Sequence, residues 1–164
     1  MIQQKLANKH LCLQQADECV IRHQTSARSK GDVMRNLLIT ASLVLVRYPR
    51  LRVYLMHAGY PLLDDLLALL YVHPQVYVDV GIIVYTQPRA AFYRYLRGIM
   101  EMGFGKRVMF GSDQMVWPET IARAVAIIEE APFLSTDEKR DILYNNAARF
   151  LRLSEEEVAR HHEM

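Results

Sequence analysis

Two short apolar runs in this chain end on side chains that can do chemistry. Residues 52–56 read RVYLM and are followed by His57-Ala58-Gly59; residues 108–111 read VMFG and are followed by Ser112-Asp113. A neutral imidazole and a carboxylate are good ligands for zinc and similar ions. The same two groups can divide general base and acid work on a water molecule. Gly59 and Gly111 suit such a site, because glycine permits close backbone approach. Each residue also has a plainer reading: a histidine after a strand can be hydrogen-bonded structure, and Asp113 can cap a turn.

The elements that must position these residues alternate. A helix is predicted over Asp32–Tyr48, closed by Pro49, and a strand over Arg52–His57. Pro61–Val72 reads as a second helix. Its Pro suits a first turn, and Leu62, Leu63, Leu66, Leu67, Leu69 and Leu70 form an apolar face. Val76–Val80 is a strand. Pro88–Met102 is a helix with Phe92, Tyr95, Leu96 and Ile99 at helical spacing, stopped by Gly103 and Gly105. Lys106–Gly111 is the next strand, and Pro118–Glu130 a helix with Ile121, Val125 and Ile128 inward. Ser135 with Glu138 makes a capping box for a further helix, and a last polar helix covers Ser154–His161. Short apolar strands alternating with helices of this length predict an α/β fold with parallel strands. Residues 1–31 are less legible, with room for one helix and one short strand.

Composition bounds the rest. The chain has 164 residues, 51% hydrophobic and 23% charged, with a net charge of +2. That size suits one domain with a real core, and the charge gives no case for nucleic acid or an anionic membrane. Lys106-Arg107 and Lys139-Arg140 read as solvated basic pairs. No apolar run reaches the about 18 residues that span a bilayer, and the N-terminus lacks the apolar centre of a secretory signal. Cys12 and Cys19, if helical, would share a face about 10 Å apart, too far for a disulfide. Two free thiols fit a reducing cytoplasm.

From about Arg47 to Leu153, the segments RYPRLRVYLMHAGYP, HPQVYVDVG, KRVMFGSDQMVWPE and KRDILYNNAARFLRL resemble the C-terminal part of an amidohydrolase-related (amidohydrolase-2 type) metal-dependent hydrolase. This family also includes decarboxylases. The resemblance implies a TIM-barrel-like fold, of which this chain would hold a part, approximately strands five or six to eight. It implies a divalent metal, zinc foremost, an activated water, and a small-molecule substrate. His57 then takes the place of the histidine ending strand six, and Asp113 that of the aspartate ending strand eight. His23, after Val20-Ile21, is the strand-five candidate and a third metal ligand. Asn145-Asn146-Ala147 and Phe150 match the helix after strand eight, in a structural role. Tyr60, Asp79, Met115 and Trp117 are candidates to line the substrate pocket. Asp79 has the alternative of an ordinary strand-end turn, and Met115 and Trp117 that of packing over the barrel mouth. His73, before Pro74, reads as a helix cap.

The family's H-x-H pair is absent, so metal binding is expected to be weak. The expected organisation is a single domain: an N-terminal segment 1–31, a partial barrel 32–153 and a polar tail 154–164. The expected activity is hydrolysis through a metal-activated water, by a truncated member with reduced or no activity. The alternatives are a decarboxylase of the same family and a non-catalytic barrel fragment acting as an assembly subunit. The strand ending at Gly111 should lack its barrel partner, which favours a homo-oligomer unless the N-terminal residues cover an edge.

Overall fold

The computed structural model of the chain describes residues 11–13, 18–21, 40–114 and 117–163. Among these residues five strands form one sheet in the order β1-β2-β3-β4-β5: Leu11–Leu13, Glu18–Ile21, Arg52–Leu55, Val76–Asp79 and Val108–Met109. β2 to β5 run parallel, and β1 is antiparallel to β2. The parallel part is the α/β arrangement expected from the alternation of strands and helices. The N-terminal pair is a correction, since one helix and one strand were expected there. Cys12 and Cys19 therefore lie in strands rather than on one helix. The register puts Cys12 opposite Val20 and Cys19 opposite Leu13, so the two are not cross-strand partners.

The helices are α1 over residues 40–47, α2 Leu63–Val72, α3 Ile83–Thr86, α4 Arg89–Glu101 and α5 Glu119–Glu129. α6 Thr136–Arg140 runs through a π-helical segment, Asp141–Asn145, into α7 Asn146–Leu151, and α8 Glu155–His162 follows. The part of the first predicted helix before residue 40 lies outside the described residues. Two Ser/Glu pairs start helices by the same device. Glu138 N–H donates to Ser135 Oγ while Ser135 N–H donates to Glu138, and Ser154 with Glu157 repeats this at α8.

Strand alternation divides the parallel sheet into two faces. Val53, Leu55, Val76, Val78 and Val108 share one face by register. They are buried in one core with Leu66, Leu69 and Leu70 of α2 and Phe92, Leu96 and Ile99 of α4, the stripe foreseen for α4. Arg52, Tyr54, Tyr77, Asp79 and Met109 share the other face. Near its start, Phe150 of α7 packs at a tilt against Tyr77 at 5.1 Å and Tyr54 at 6.0 Å, and the Arg52 guanidinium lies 5.1 Å from the Phe150 ring. Aromatic packing thus fills the lower part of this face and leaves Asp79 at its upper end.

Three expectations are corrected. α5 buries Ala124, Ile127 and Ile128, while Ile121 is 40% exposed. Two apolar stripes overlap on this helix, and the one that wins continues into buried Ala131 and Leu134. The last strand is shorter than expected, because Gly105–Arg107 forms a 3-10 turn. Its basic pair is only partly solvated: the Lys106 side chain is 71% exposed, whereas Arg107 turns to backbone carbonyls. The Arg107 guanidinium donates to Leu70 O at 2.7 Å and His73 O at 2.9 Å, closing the C-terminus of α2, and Lys106 bonds Asp141. Among the described residues β5 lies at the edge of the sheet, the position expected of the strand ending at Gly111, and backbone groups in it and just after it are satisfied within the chain. Phe110 N–H donates to Ile142 O at 2.6 Å, and Asn146 Nδ2 donates to Val108 O at 2.6 Å. His73 sits at the α2 C-cap, as expected, buried with its Nε2 2.7 Å from Ser42 Oγ.

Candidate metal and substrate site

β3, β4 and β5 all release the chain at one edge of the sheet, and positive-φ backbone follows each of them. After β3, His57 has φ 61°, Ala58 φ 47° and Gly59 φ 65°; after β4, Ile82 has φ 53°; after β5, Asp113 has φ 46°. Only Gly59 adopts this region freely. Each of the others costs on the order of 1 kcal/mol or more, so packing and hydrogen bonds must hold them. Such backbone concentrates at functional sites.

The result is a meeting of the two residues singled out at the start. His57 Nε2 stands 3.5 Å from Asp113 Oδ2, both side chains about a fifth exposed. The other ring nitrogen, Nδ1, lies 3.0 Å from the carbonyl oxygen of Gly81. A carbonyl can only accept, so Nδ1 carries the hydrogen. In the neutral ring Nε2 then holds a lone pair. That lone pair faces a carboxylate oxygen, and the arrangement calls for a proton or a cation between them.

Asp79 lies beneath this pair and is 1% exposed. Its Oδ1 accepts from the backbone N–H groups of His57 and Gly81, each at 2.8 Å, and its Oδ2 accepts from the Tyr54 hydroxyl. Burial pushes its pKa from 3.8 up to about 6. The two backbone donors oppose that rise, and the charge of Asp113 adds to it. The Tyr95 hydroxyl, which burial keeps above its ordinary pKa, donates to Ala58 O at 2.7 Å. Tyr60 packs edge-on against Tyr95 at 5.1 Å.

The loop after Asp113 is organised by Gln114. Its Nε2 donates to Thr120 Oγ1 at 2.6 Å and Tyr85 Oη at 3.2 Å, and its Oε1 accepts from Trp117 N–H at 2.7 Å. Trp117 is 65% exposed. Met115 and His23 lie outside the described residues. His23 follows the end of β2, at Ile21, by two positions. Sequence reasoning missed Tyr54, Gly81, Tyr95 and Gln114. Strand alternation puts Tyr54 on the same face as Arg52, but its place opposite Tyr77 comes from the register.

Among the described residues, no group of three or more His, Cys, Asp or Glu side chains is placed to hold a metal ion. The Asp79 oxygens are committed to three donors. His57 Nε2 and Asp113 Oδ2 are of the right kind and separation to serve as two ligands of a divalent metal, so the donor set fits such an ion as a pair.

A family model described as Amidohydrolase matches residues 32–153. No curated protein matches the chain. Among solved structures, a TIM-barrel protein of uncharacterised function from Bordetella bronchiseptica is similar at 19% identity and TM-score 0.64, over 82% of this chain and 45% of that one. An amidohydrolase from Burkholderia multivorans with bound zinc is similar at 20% identity and TM-score 0.58, over 73% and 50%. A 5-carboxyvanillate decarboxylase from Novosphingobium aromaticivorans, complexed with manganese, is similar at 18% identity and TM-score 0.53, over 75% and 39%. The chain spans about half the length, or less, of these structures, and its parallel strands and helices correspond to part of a TIM barrel. The protein belongs to the amidohydrolase family.

Proposed function

We propose that the chain carries the His57–Asp113 part of a metal-dependent hydrolase site acting on a small molecule. One observation carries this reading: the Nε2 lone pair and the Oδ2 oxygen face each other across 3.5 Å with no hydrogen of their own to share in the neutral, ionised forms. His57 and Asp113 would hold a divalent ion of the zinc type, with His23 a candidate third ligand. When bound, that ion supplies Lewis acidity toward a water or a substrate oxygen. His57 is oriented by Gly81 O, so Nε2 is the atom that binds or takes up a proton. Asp113, part-exposed beside it, is the second proton acceptor or ligand. Tyr60, Trp117 and Met115 are candidates for the substrate wall, and Asp79 supports the floor. With so few ligands, binding should be weak, because a stable zinc site uses three or four. Completion of the site by a second copy of the chain is the corresponding oligomer proposal.

Decarboxylation is the second reading, favoured by the likeness to the manganese-bound decarboxylase. The test is turnover of a panel of amides, lactones and carboxylated aromatics with added zinc or manganese. Metal-dependent turnover lost in both His57→Ala and Asp113→Ala is expected. Release of carbon dioxide rather than an amine or acid selects the decarboxylase. Metal binding without turnover points to an assembly subunit, and turnover unchanged in both variants overturns the reading.

A further inference from the structure

The left-handed turn at His57 needs something to hold it, and the structure gathers the means at one buried carboxylate. Asp79 Oδ1 takes the N–H of His57 and the N–H of Gly81. Gly81 in turn accepts from the His57 ring through its carbonyl. The hydrogen bonds therefore close a ring, running from Asp79 to the His57 backbone, through the imidazole to Gly81, and back to Asp79. The carboxylate is fixed from its other side by the Tyr54 hydroxyl. Space for it depends on two glycines. A Cβ at Gly81 would come within 3.1 Å of Asp79 Oδ1, and one at Gly111 within 3.1 Å of both Cγ and Oδ2. Neither glycine has a positive φ, so the room for the carboxylate, rather than the backbone, explains their lack of a side chain.

We propose that Asp79 is the positioning residue of this site: through the amides of His57 and Gly81 it holds the left-handed turn and the ring orientation that aim His57 Nε2 at Asp113. The inference rests on the reading of His57 and Asp113 as the site. Both Asp79 oxygens are engaged by donors, so Asp79 acts through His57 rather than on the reacting atoms. Its role differs from that of a strand-end turn residue, which would stabilise Gly81 without governing the imidazole.

The imidazole itself supplies the readout. Long-range proton–nitrogen spectra of the full chain, with the His57 signals assigned by their loss in His57→Gln, should show a single tautomer hydrogenated at Nδ1. In Asp79→Ala that single tautomer is lost to averaging, while the amides of the Ser135 and Ser154 capping boxes keep their shifts. Asp79→Asn rescues it, since Oδ1 still accepts both amides. Cobalt(II) affinity should fall about 10- to 100-fold in the alanine variant and recover in the asparagine variant, the range usual for losing a group that orients a ligand. Should Asp79→Ala not fold, Gly111→Ala displaces the carboxylate without removing it, and the tautomer preference should weaken there too. A His57 tautomer unchanged in a folded Asp79→Ala, or in Gly111→Ala where the first does not fold, overturns the inference. Because the ring spectrum needs neither metal nor substrate, a wild-type chain that binds no cobalt yet shows the Asp79 dependence sinks the functional reading alone.

Discussion

Among the described residues, two buried aspartates live in opposite surroundings. Asp79 is 1% exposed and Asp141 4%. Asp141 sits at the start of the π-helical segment and meets cations. Lys106 bonds its Oδ2, and Arg149 Nη2 and Asn145 Nδ2 reach its Oδ1 at 3.1 and 3.2 Å. Burial alone would raise its pKa, but Lys106, Asn145 and Arg149 together hold it below the ordinary value. Asp79 has backbone amides and a phenol, with no Lys or Arg bonded to it among the described residues, and burial wins. A carboxylate kept for the fold is neutralised by partners. A carboxylate kept beside His57 is left costly, which is the pattern of a site whose requirements override stability.

The structural end should give the largest loss. Phe150→Ala empties the contact among Tyr54, Tyr77 and Arg52 and should cost about 3–5 kcal/mol in urea unfolding, with the His57 ring spectrum unchanged in the folded protein. A shifted His57 spectrum would break the separation between the two ends.

The pH dependence should then have opposite signs at the two aspartates. The folded-state pKa of Asp79 is raised from 3.8 to about 6. The fold therefore prefers the protonated acid, and stability present below 3.8 is lost as pH rises to about 6. That loss is on the order of 2–3 kcal/mol. Asp79→Asn should flatten this window, and an identical slope in the variant would show that Asp79 is not its source. Asp141 is depressed, so it contributes stability above its ordinary value, lost as pH falls through the lowered one. Asp141→Asn should cost about 2 kcal/mol near neutral pH, reduced by salt because the Lys106 and Arg149 side chains are 71% and 43% exposed. The deficit should vanish in acid.

The smallest effect belongs to the polar tail. Ser154→Ala removes one half of a capping box and should cost about 0.5–1 kcal/mol, read as fraying of α8 by circular dichroism, with no change at either aspartate.

Much of this was legible from residue types. His57 and Asp113 stood out because each follows a short apolar run, and parallel sheets bring strand ends together whatever their separation in sequence. The Phe92, Tyr95, Leu96, Ile99 stripe and the Ser135 box are local, so one segment suffices to read them. What could not be read depends on partners elsewhere. That Asp79 is a buried floor needs the register of β3 against β4, which brings Tyr54 to its side. The inward face of α5 was misread because two apolar stripes overlap in it. α3 is a single turn of β-branched and aromatic residues, Ile83–Thr86, too short to carry a helical period. β1 and β2 are three- and four-residue strands, whose cysteines fit a helical spacing equally well.

The central claim is that His57 and Asp113 form one ligand pair. Cobalt(II) titration followed by paramagnetic broadening tests it most directly. At the lowest metal ratios the signals of His57, Gly81 and Asp113 should broaden together, before those of His73, His161 and His162, and the effect should disappear in His57→Ala. Broadening that begins at His161 and His162 in the tail, or that persists around Asp113 in His57→Ala, would contradict the assignment.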